Sequence, residues 1–136
     1  MHVYIGGAYN GKRDFVKQHY PNYTQQFFEG HLPENLTFKK QDIVVIGRFE
    51  QIVKQLSHLT EDEVVAILMK KLQQLDAQAT LVCVCTDMGR GIVPLEKEQR
   101  FLRDTCGRLY QAMFAYSEQV TRIWYGIPQI LKEVQK

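Results

Sequence analysis

The sequence carries almost no net charge, because 17 lysine and arginine residues stand against 15 acidic ones and leave +2 at pH 7. A balance this close to neutral argues against a nucleic-acid-binding surface. No apolar run approaches the roughly 20 residues that a membrane-spanning helix needs, and no signal-peptide pattern follows Met1. We therefore expect a cytoplasmic protein with no membrane span, and its 136 residues indicate one domain over 1–136.

Cysteine is scarce as well. The odd count of three, at Cys83, Cys85 and Cys106, fits no disulfide framework and suits a reducing compartment. Cys83 and Cys85 lie in the apolar run LVCVC, where alternate residues of a strand share a face, and no second pair of metal ligands follows. Because a free cysteine packs as a small hydrophobe, we predict core residues here and no structural metal.

Short apolar runs that end in turn signals alternate with longer stretches of helical periodicity. The predicted strands are His2–Ile5, Ile43–Ile46, Leu81–Cys85 and Val120–Trp124. The predicted helices are Lys12–His19, Phe49–Leu56, Thr60–Leu75 and Leu95–Ser117, and the third opens with the capping-box pair Thr60 and Glu63. Segment 20–41 has no assignment beyond a short strand around Gln26–Phe28, and Gly126–Val134 is predicted as a final short helix.

This alternation predicts an α/β fold with three layers, in which a mostly parallel sheet is covered by helices on both faces. In such a fold, ligands bind at the carboxyl ends of the strands. A residue of a functional site should therefore follow the end of a strand, and each motif can be tested against that requirement.

The stretch GGAYNGKR at 6–13 passes this test, because it follows the first predicted strand and leads into a helix. Its spacing, Gly6-x4-Gly11-Lys12, is that of a phosphate-binding loop, in which backbone N–H groups wrap the phosphates and the lysine adds a point charge. Arg13 stands where such loops carry a Ser or Thr that ligates Mg²⁺. Arg13 cannot coordinate a cation, although its guanidinium can bind phosphate directly. The alternative reading is a tight glycine-rich turn.

A second candidate is TDMGRGIVP at 86–94, after the strand LVCVC. Asp87 stands at the strand end, where a nucleotide-binding fold places an acid near Mg²⁺, and Gly89 and Gly91 form a flexible turn that Pro94 closes. The alternative is an ordinary strand-to-helix loop in which the aspartate is a turn former.

The fourth predicted helix has a polar face. At 100° per residue, one sector contains Arg100, Arg103, Asp104, Gly107 and Gln111. The opposite side, predicted to face the core, contains Leu102, Cys106, Leu109 and Met113. Two arginines beside a glycine suit an anionic ligand, and a plain solvated face is the alternative.

Together, GGAYNGKR and MGRGIVPLEKEQRFLRDTCGRLYQ at 88–111 resemble the signature of the bifunctional adenosylcobinamide kinase/adenosylcobinamide-phosphate guanylyltransferases of cobalamin biosynthesis. That signature reads roughly GGxxSGKS and then NEVGxGIVPxxxxxRxFRDxxGxxNQ. The ending GIPQILK is also similar, whereas the middle of the chain matches poorly. The resemblance implies a P-loop NTPase-like (RecA-like) fold and a kinase that uses ATP or GTP, with Mg²⁺, to phosphorylate adenosylcobinamide.

Carried over residue by residue, the resemblance implies a set of nucleotide-binding residues in the loop and the later helix. These are Gly6, Gly7, Gly11, Lys12, Arg13, Gly89, Gly91, Arg100, Arg103 and Asp104. The implied catalytic residues are Lys12, which would neutralise the β- and γ-phosphates, and Asp87, which would hold Mg²⁺ or its water. Asp87 stands where the family has Glu.

Departures from the family pattern bear on activity. Arg13 replaces the Mg²⁺-binding serine, and Gly47 occupies the position where the family's apolar strand ends in an acid. The arginine-rich segment with the guanylyl-accepting histidine is missing, and His31 lacks such flanking arginines. Three readings follow: an adenosylcobinamide kinase, a catalytically degenerate regulatory or partner subunit that binds a nucleotide or a corrinoid, and a structural domain that binds neither. The family's oligomers make a homo-oligomer plausible.

Overall fold

The computed structural model describes residues 1–7, 11–34, 38–39, 41–87 and 96–134. The helices and strands, in chain order, are β1 (His2–Gly6), α1 (Lys12–His19), β2 (Gln25–Glu29), β3 (Ile43–Gly47), α2 (Phe49–Gln55), α3 (Glu61–Gln78), β4 (Thr80–Thr86), α4 (Lys97–Tyr116), β5 (Gln119–Trp124) and β6 (Ile127–Glu133). Eight of these match the predicted strands and helices to within three residues at each end. The tentative strand around Gln26–Phe28 is confirmed as β2.

The strands form a sheet in the order β2-β3-β4-β1-β5-β6. Every neighbouring pair from β2 to β5 is parallel, and only β6 runs antiparallel, against β5. The predicted α/β fold with a mostly parallel sheet is therefore confirmed. Because parallel strands point the same way, β1 to β5 all end at one edge, which we call the carboxyl edge.

The side chains of the sheet alternate between two apolar cores, one on each face. On one face, Val16 of α1 packs with Val45 and Val84. On the other face, α2, α3 and α4 cover residues such as Val44 and Cys83. Helices thus lie on both faces, as predicted; within the described ranges, one helix covers the first face and three cover the second.

Helix α3 begins at the predicted signal. The Thr60 hydroxyl accepts a hydrogen bond from the Glu63 backbone N–H at 3.2 Å, and the Glu63 carboxylate accepts one from the Thr60 N–H at 3.3 Å. This capping box satisfies two backbone donors that the first turn leaves without helical partners. In the described part of the chain, no helix is long and apolar enough to cross a membrane.

The prediction of a final helix over Gly126–Val134 is wrong, because this segment forms strand β6. Tyr125 and Gly126 both have positive φ, 50° and 79°, and connect the pair Trp124 and Ile127. Positive φ at both central residues is the geometry of a two-residue hairpin turn that matches the twist of a sheet. Pro128, which lacks an N–H, is tolerated because β6 is an edge strand.

The three cysteines are buried free thiols, as the sequence predicted for core residues. Burial raises the pKa of all three, that of Cys106 to about 12. Since the thiolate is the reactive form, the folded protein should react slowly with dithiobis(nitrobenzoate), and three equivalents should react after unfolding in guanidinium. Rapid reaction of any thiol in the folded protein would place that cysteine outside the core.

Candidate functional site

The two sequence motifs meet at the carboxyl edge. Gly6, the last residue of β1, is paired with Thr86, the last residue of β4. The backbone N–H of Asp87 then donates to the Gly6 carbonyl oxygen at 2.9 Å. The start of the glycine-rich loop and the predicted acid are therefore held side by side, as the strand-end requirement predicted.

Lys12 is folded back onto the loop. Its ammonium donates to the carbonyl oxygens of Gly7 at 2.7 Å and of Gly6 at 3.2 Å, and the residue is only 6% exposed. Burial, and after it the charge of Arg13, lowers the pKa of Lys12. The charged ammonium of Lys12 thus lies beside the loop. Among the described residues, its hydrogen-bond partners are backbone carbonyls only.

Gly11 is the N-cap residue before α1 and has a conformation that suits glycine, with φ of 79°. A Cβ built on Gly11 would lie 3.6 Å from the Cα of Gly126, so the β5–β6 turn contacts the end of the loop. The first N–H groups of α1 have no acceptors within the helix and carry its positive dipole end. This end of the loop suits an anion.

Arg13 forms an ion pair that the sequence did not indicate. Its Nε and Nη2 donate to the two carboxylate oxygens of Glu29, at 2.5 and 2.6 Å. Arg48 adds a second cation, with Nε 3.7 Å from Glu29 Oε2. The hydrogen bond from Arg13 holds the pKa of Glu29 below its ordinary value and raises the pKa of Arg13. We call Arg13, Glu29 and Arg48 the ion cluster.

Gly47 lies directly under the ion cluster. It is paired with Glu29 across β3 and β2, and a Cβ at this position would lie 2.7 Å from Glu29 Oε2 and 3.3 Å from Arg13 Nη2. The next residue, Arg48, has φ of 55°, a left-handed conformation that is uncommon outside glycine. Where the family pattern has an acidic residue at the end of this strand, the chain has Gly47, and the Glu29 carboxylate of the neighbouring strand occupies the space of that side chain.

A second carboxylate lies near the loop, at the start of α2. Oε2 of Glu50 is buried and has no hydrogen-bond partner among the residues that the structure describes. Its charge favours the protonated forms of Lys12 and Arg13, although burial outweighs this effect at Lys12. Burying a carboxylate oxygen without a hydrogen-bond partner lowers the stability of the fold, so Glu50 is a candidate for a functional role at the loop.

The residues at the loop do not fit a magnesium ion in the usual place. Arg13 puts a guanidinium where a metal-binding loop has a hydroxyl. The Glu29 carboxylate fills the space beside Gly47 and is engaged by Arg13. Within the described ranges, no group of three His, Cys, Asp or Glu side chains could hold a metal.

The polar face of α4 carries an ion pair of its own. Arg103 donates to Asp104 Oδ1 at 2.9 and 3.1 Å, so these two predicted residues partly neutralise each other. Arg100 is exposed. The opposite side of the helix is confirmed as core at Cys106, Leu109 and Met113. Gly89 and Gly91 lie outside the described residues.

A cavity of about 370 Å³ opens beside the loop. Its walls come from the ends of β1 and β4, from α4 and from the β5–β6 hairpin. They comprise Ile5, Gly6, Gly7, Asp87, Phe114, Arg122, Trp124, Tyr125 and Leu131. The Arg122 guanidinium lies 4.6 Å from the centre of the Trp124 ring, and Tyr125 meets that ring edge-on at 5.5 Å. An apolar, aromatic wall thus adjoins the loop glycines.

Sequence reasoning missed Glu29, Arg48 and Glu50. Glu29 directly follows the tentative strand Gln26–Phe28, and the other two follow the end of Ile43–Ile46. The strand-end rule that selects Asp87 also points to Glu29 and Arg48, which lie at the ends of β2 and β3, whereas Glu50 lies inside α2. In segment 20–41 the strand pattern is too weak for the rule to select Glu29 from the sequence.

Fold and edge together define an α/β protein of the P-loop NTPase-like kind. A family model described as cobinamide kinase / cobinamide phosphate guanyltransferase matches residues 14–131, and the chain belongs to this family. The matched region includes the middle of the chain, where the sequence motifs showed little similarity to the family. It begins after Arg13, so the glycine-rich loop lies outside the match. Membership supports a nucleotide-related kinase or transferase function in cobalamin biosynthesis. No curated protein matches the chain.

The ion pair yields a prediction for acid stability. Because Arg13 lowers the pKa of Glu29, the stabilisation is present above the ordinary glutamate range and is lost as the pH falls through the lowered pKa. Glu29→Gln should therefore reduce the free energy of unfolding by about 0.5–1 kcal/mol at neutral pH. The difference from the wild type should shrink below about pH 4.

Urea denaturation at several pH values measures this difference, with the exposed Glu133→Gln as the control for losing a carboxylate. An equal effect of Glu29→Gln at neutral and acid pH would contradict a stabilising charge at Glu29.

Proposed function

We propose that this chain binds a nucleoside triphosphate, ATP or GTP, at Gly6–Arg13 and acts in cobalamin biosynthesis. The observation that carries the proposal is Lys12, a buried lysine whose ammonium is held 2.7 Å from a loop carbonyl at the start of a helix. A bound phosphate would offer this ammonium charged oxygen acceptors, which make stronger hydrogen bonds than neutral carbonyls.

Each predicted residue has a place in this proposal. The backbone N–H groups around Gly6, Gly7 and Gly11 would surround the phosphates, and Lys12 would neutralise the β- and γ-oxygens. Arg13 would donate from the edge of its guanidinium that Glu29 does not use. Further contacts with the nucleotide are proposed for Gly89, Gly91, Arg100, Arg103 and Asp104.

The reaction proposed first is transfer of the terminal phosphoryl group to the hydroxyl of adenosylcobinamide. Asp87 adjoins both the loop and the cavity, so it is the acid we place next to an acceptor hydroxyl. The resemblance implies Mg²⁺ at Asp87, but Arg13, Gly47 and the paired Glu29 do not offer this ion further ligands. A guanylyltransferase step would need a histidine nucleophile for its covalent intermediate, and no residue is assigned to that role.

The second candidate function is nucleotide or corrinoid binding without turnover, as a regulatory or partner subunit. Arg13 and Gly47 favour this second function. Phosphoryl transfer depends on electrostatic stabilisation that a bound metal ion normally supplies, and these two residues replace side chains that would hold the ion. A corrinoid partner and a homo-oligomer stay predictions from the family resemblance. So does a cytoplasmic location.

We further propose that the cavity binds the purine base of the nucleotide. Gly6 and Gly7 belong both to the loop and to the cavity wall, so a ligand on the loop would extend toward Trp124. Stacking on an aromatic side chain contributes roughly 1–3 kcal/mol per base.

Replacing Lys12 by alanine should weaken nucleotide binding about ten- to a hundredfold, the value of charge-assisted hydrogen bonds of about 1.5–3 kcal/mol. Calorimetric titration with ATP and with GTP measures it. Lys17→Ala removes one charge from the exposed side of the same helix and should leave affinity unchanged. If neither ATP nor GTP binds the wild type at millimolar concentration, the proposed function is excluded.

The single tryptophan of the chain, Trp124, reports on the cavity directly. Adding ATP or GTP should change its fluorescence, whereas inorganic tripolyphosphate, which has no ring, should bind the loop without that change. Trp124→Phe provides the baseline, because it leaves no tryptophan. Equal fluorescence changes with tripolyphosphate and nucleotide would indicate that the ring lies elsewhere.

A further inference from the structure

We propose that Arg13, held in place by Glu29, substitutes for the divalent cation of a phosphate loop, so that this chain binds nucleoside triphosphates without Mg²⁺. The inference rests on the proposed function, since it concerns how the same loop would bind the same ligand. It is carried by the ion cluster and by the closed space at Gly47.

The position of Arg13 is the first step. It is the second residue of α1 and directly follows Lys12, whose ammonium lies on the loop carbonyls. After burial, the charge of Arg13 is the main cause of the lowered pKa of Lys12. The two cations therefore act on one region at the start of the helix, where phosphates would bind.

Arg13 is oriented by its carboxylate partner. An arginine has five N–H donors, and Glu29 accepts from two of them, one on Nε and one on Nη2. Among the described residues the other three have no recorded acceptor, so they are available to phosphate oxygens. A guanidinium oriented in advance loses less entropy when it binds phosphate than a mobile one.

The cation at position 13 is the charge that distinguishes this loop. Arg13, Arg48 and Glu29 together carry one net positive charge, and Lys12, which a metal-binding phosphate loop also has, adds a second. The carboxylates of Glu50 and Asp87 also lie close to the loop, so the region as a whole is nearly neutral. Arg13 thus supplies a positive charge at the start of α1, where a metal-binding loop has a hydroxyl.

The place of the metal's usual carboxylate is already occupied. A side chain at position 47 would have to displace the Glu29 carboxylate from its pairing with Arg13, because a Cβ there would lie 2.7 Å from Glu29 Oε2. The carboxylate that does occupy this space neutralises an arginine. The loop hydroxyl and the strand-end acid are thus both replaced by one ion pair.

A substitution at Glu50 distinguishes this inference from the alternative that Mg²⁺ binds at the loop through other ligands. If the cations bind the nucleotide directly, the Glu50 carboxylate only repels it, and Glu50→Gln should tighten binding about two- to fivefold in any buffer. If Glu50 and Asp87 held Mg²⁺, Glu50→Gln would weaken binding, and only when Mg²⁺ is present. The two accounts predict opposite signs.

The experiment is calorimetric titration of the wild type with ATP and GTP, in EDTA and in excess Mg²⁺. We expect dissociation constants that agree within about threefold. Arg13→Ser should weaken binding in EDTA by about tenfold or more, as expected from losing charged hydrogen bonds. Arg108→Ala is the matched control, because Arg108 is also paired with carboxylates, Glu61 and Asp62, but on the surface between α3 and α4.

Gly47→Ala tests the role of Glu29 without changing any charge. Its methyl group should displace the Glu29 carboxylate and weaken binding less than Arg13→Ser does. Circular dichroism confirms that each variant is folded. Binding that Lys12→Ala abolishes but that requires Mg²⁺, or a tightening of affinity by Arg13→Ser in Mg²⁺, would overturn this inference and leave the proposed function standing. No binding by the wild type in either buffer would overturn both.

Discussion

The parallel pairing of β1 with β4 on one side and β5 on the other is the constraint on which the candidate site depends. Its register places Gly6 beside Thr86 and brings Asp87 within hydrogen-bond distance of the loop. The same parallel order extends through β3 to β2, so Glu29 and Gly47 lie at the same edge although they are 18 positions apart in the sequence. A slip by one residue in any of these pairs would turn apolar core side chains to the opposite face, so the core and the edge are fixed together.

Much of the fold followed from periodicity, because a sheet buried on both faces leaves short apolar runs and the helices between them leave amphipathic ones. The failure at Gly126–Val134 has a local cause. Tyr125 adopts a positive φ that its residue type does not announce, and the apolar residues of β6, such as Ile127 and Ile130, are exposed rather than alternating between core and solvent. Neither fact can be read from a pattern that assumes a buried face.

The candidate site was predictable to the extent that it is local. Gly6, Lys12 and Asp87 each follow a recognisable strand in the sequence, and the structure brings them together. The partner of Arg13 was not predictable in the same way, because Glu29 reaches it through the pairing of β2 with β3. Long-range pairs of this kind depend on strand order, which the sequence pattern alone leaves open.

The narrow space beside Gly47 makes the effects of changes at three positions depend on one another. An acid at position 47 would require the Glu29 carboxylate to move, since its Oε2 lies 2.7 Å from the position of a Cβ there, and losing Glu29 alone would leave Arg13 without its carboxylate. Replacing Arg13 alone would leave Glu29 with only the more distant Arg48. Substitutions at positions 13, 29 and 47 should therefore be epistatic, because the change in folding free energy of a combined variant should differ from the sum of the single changes.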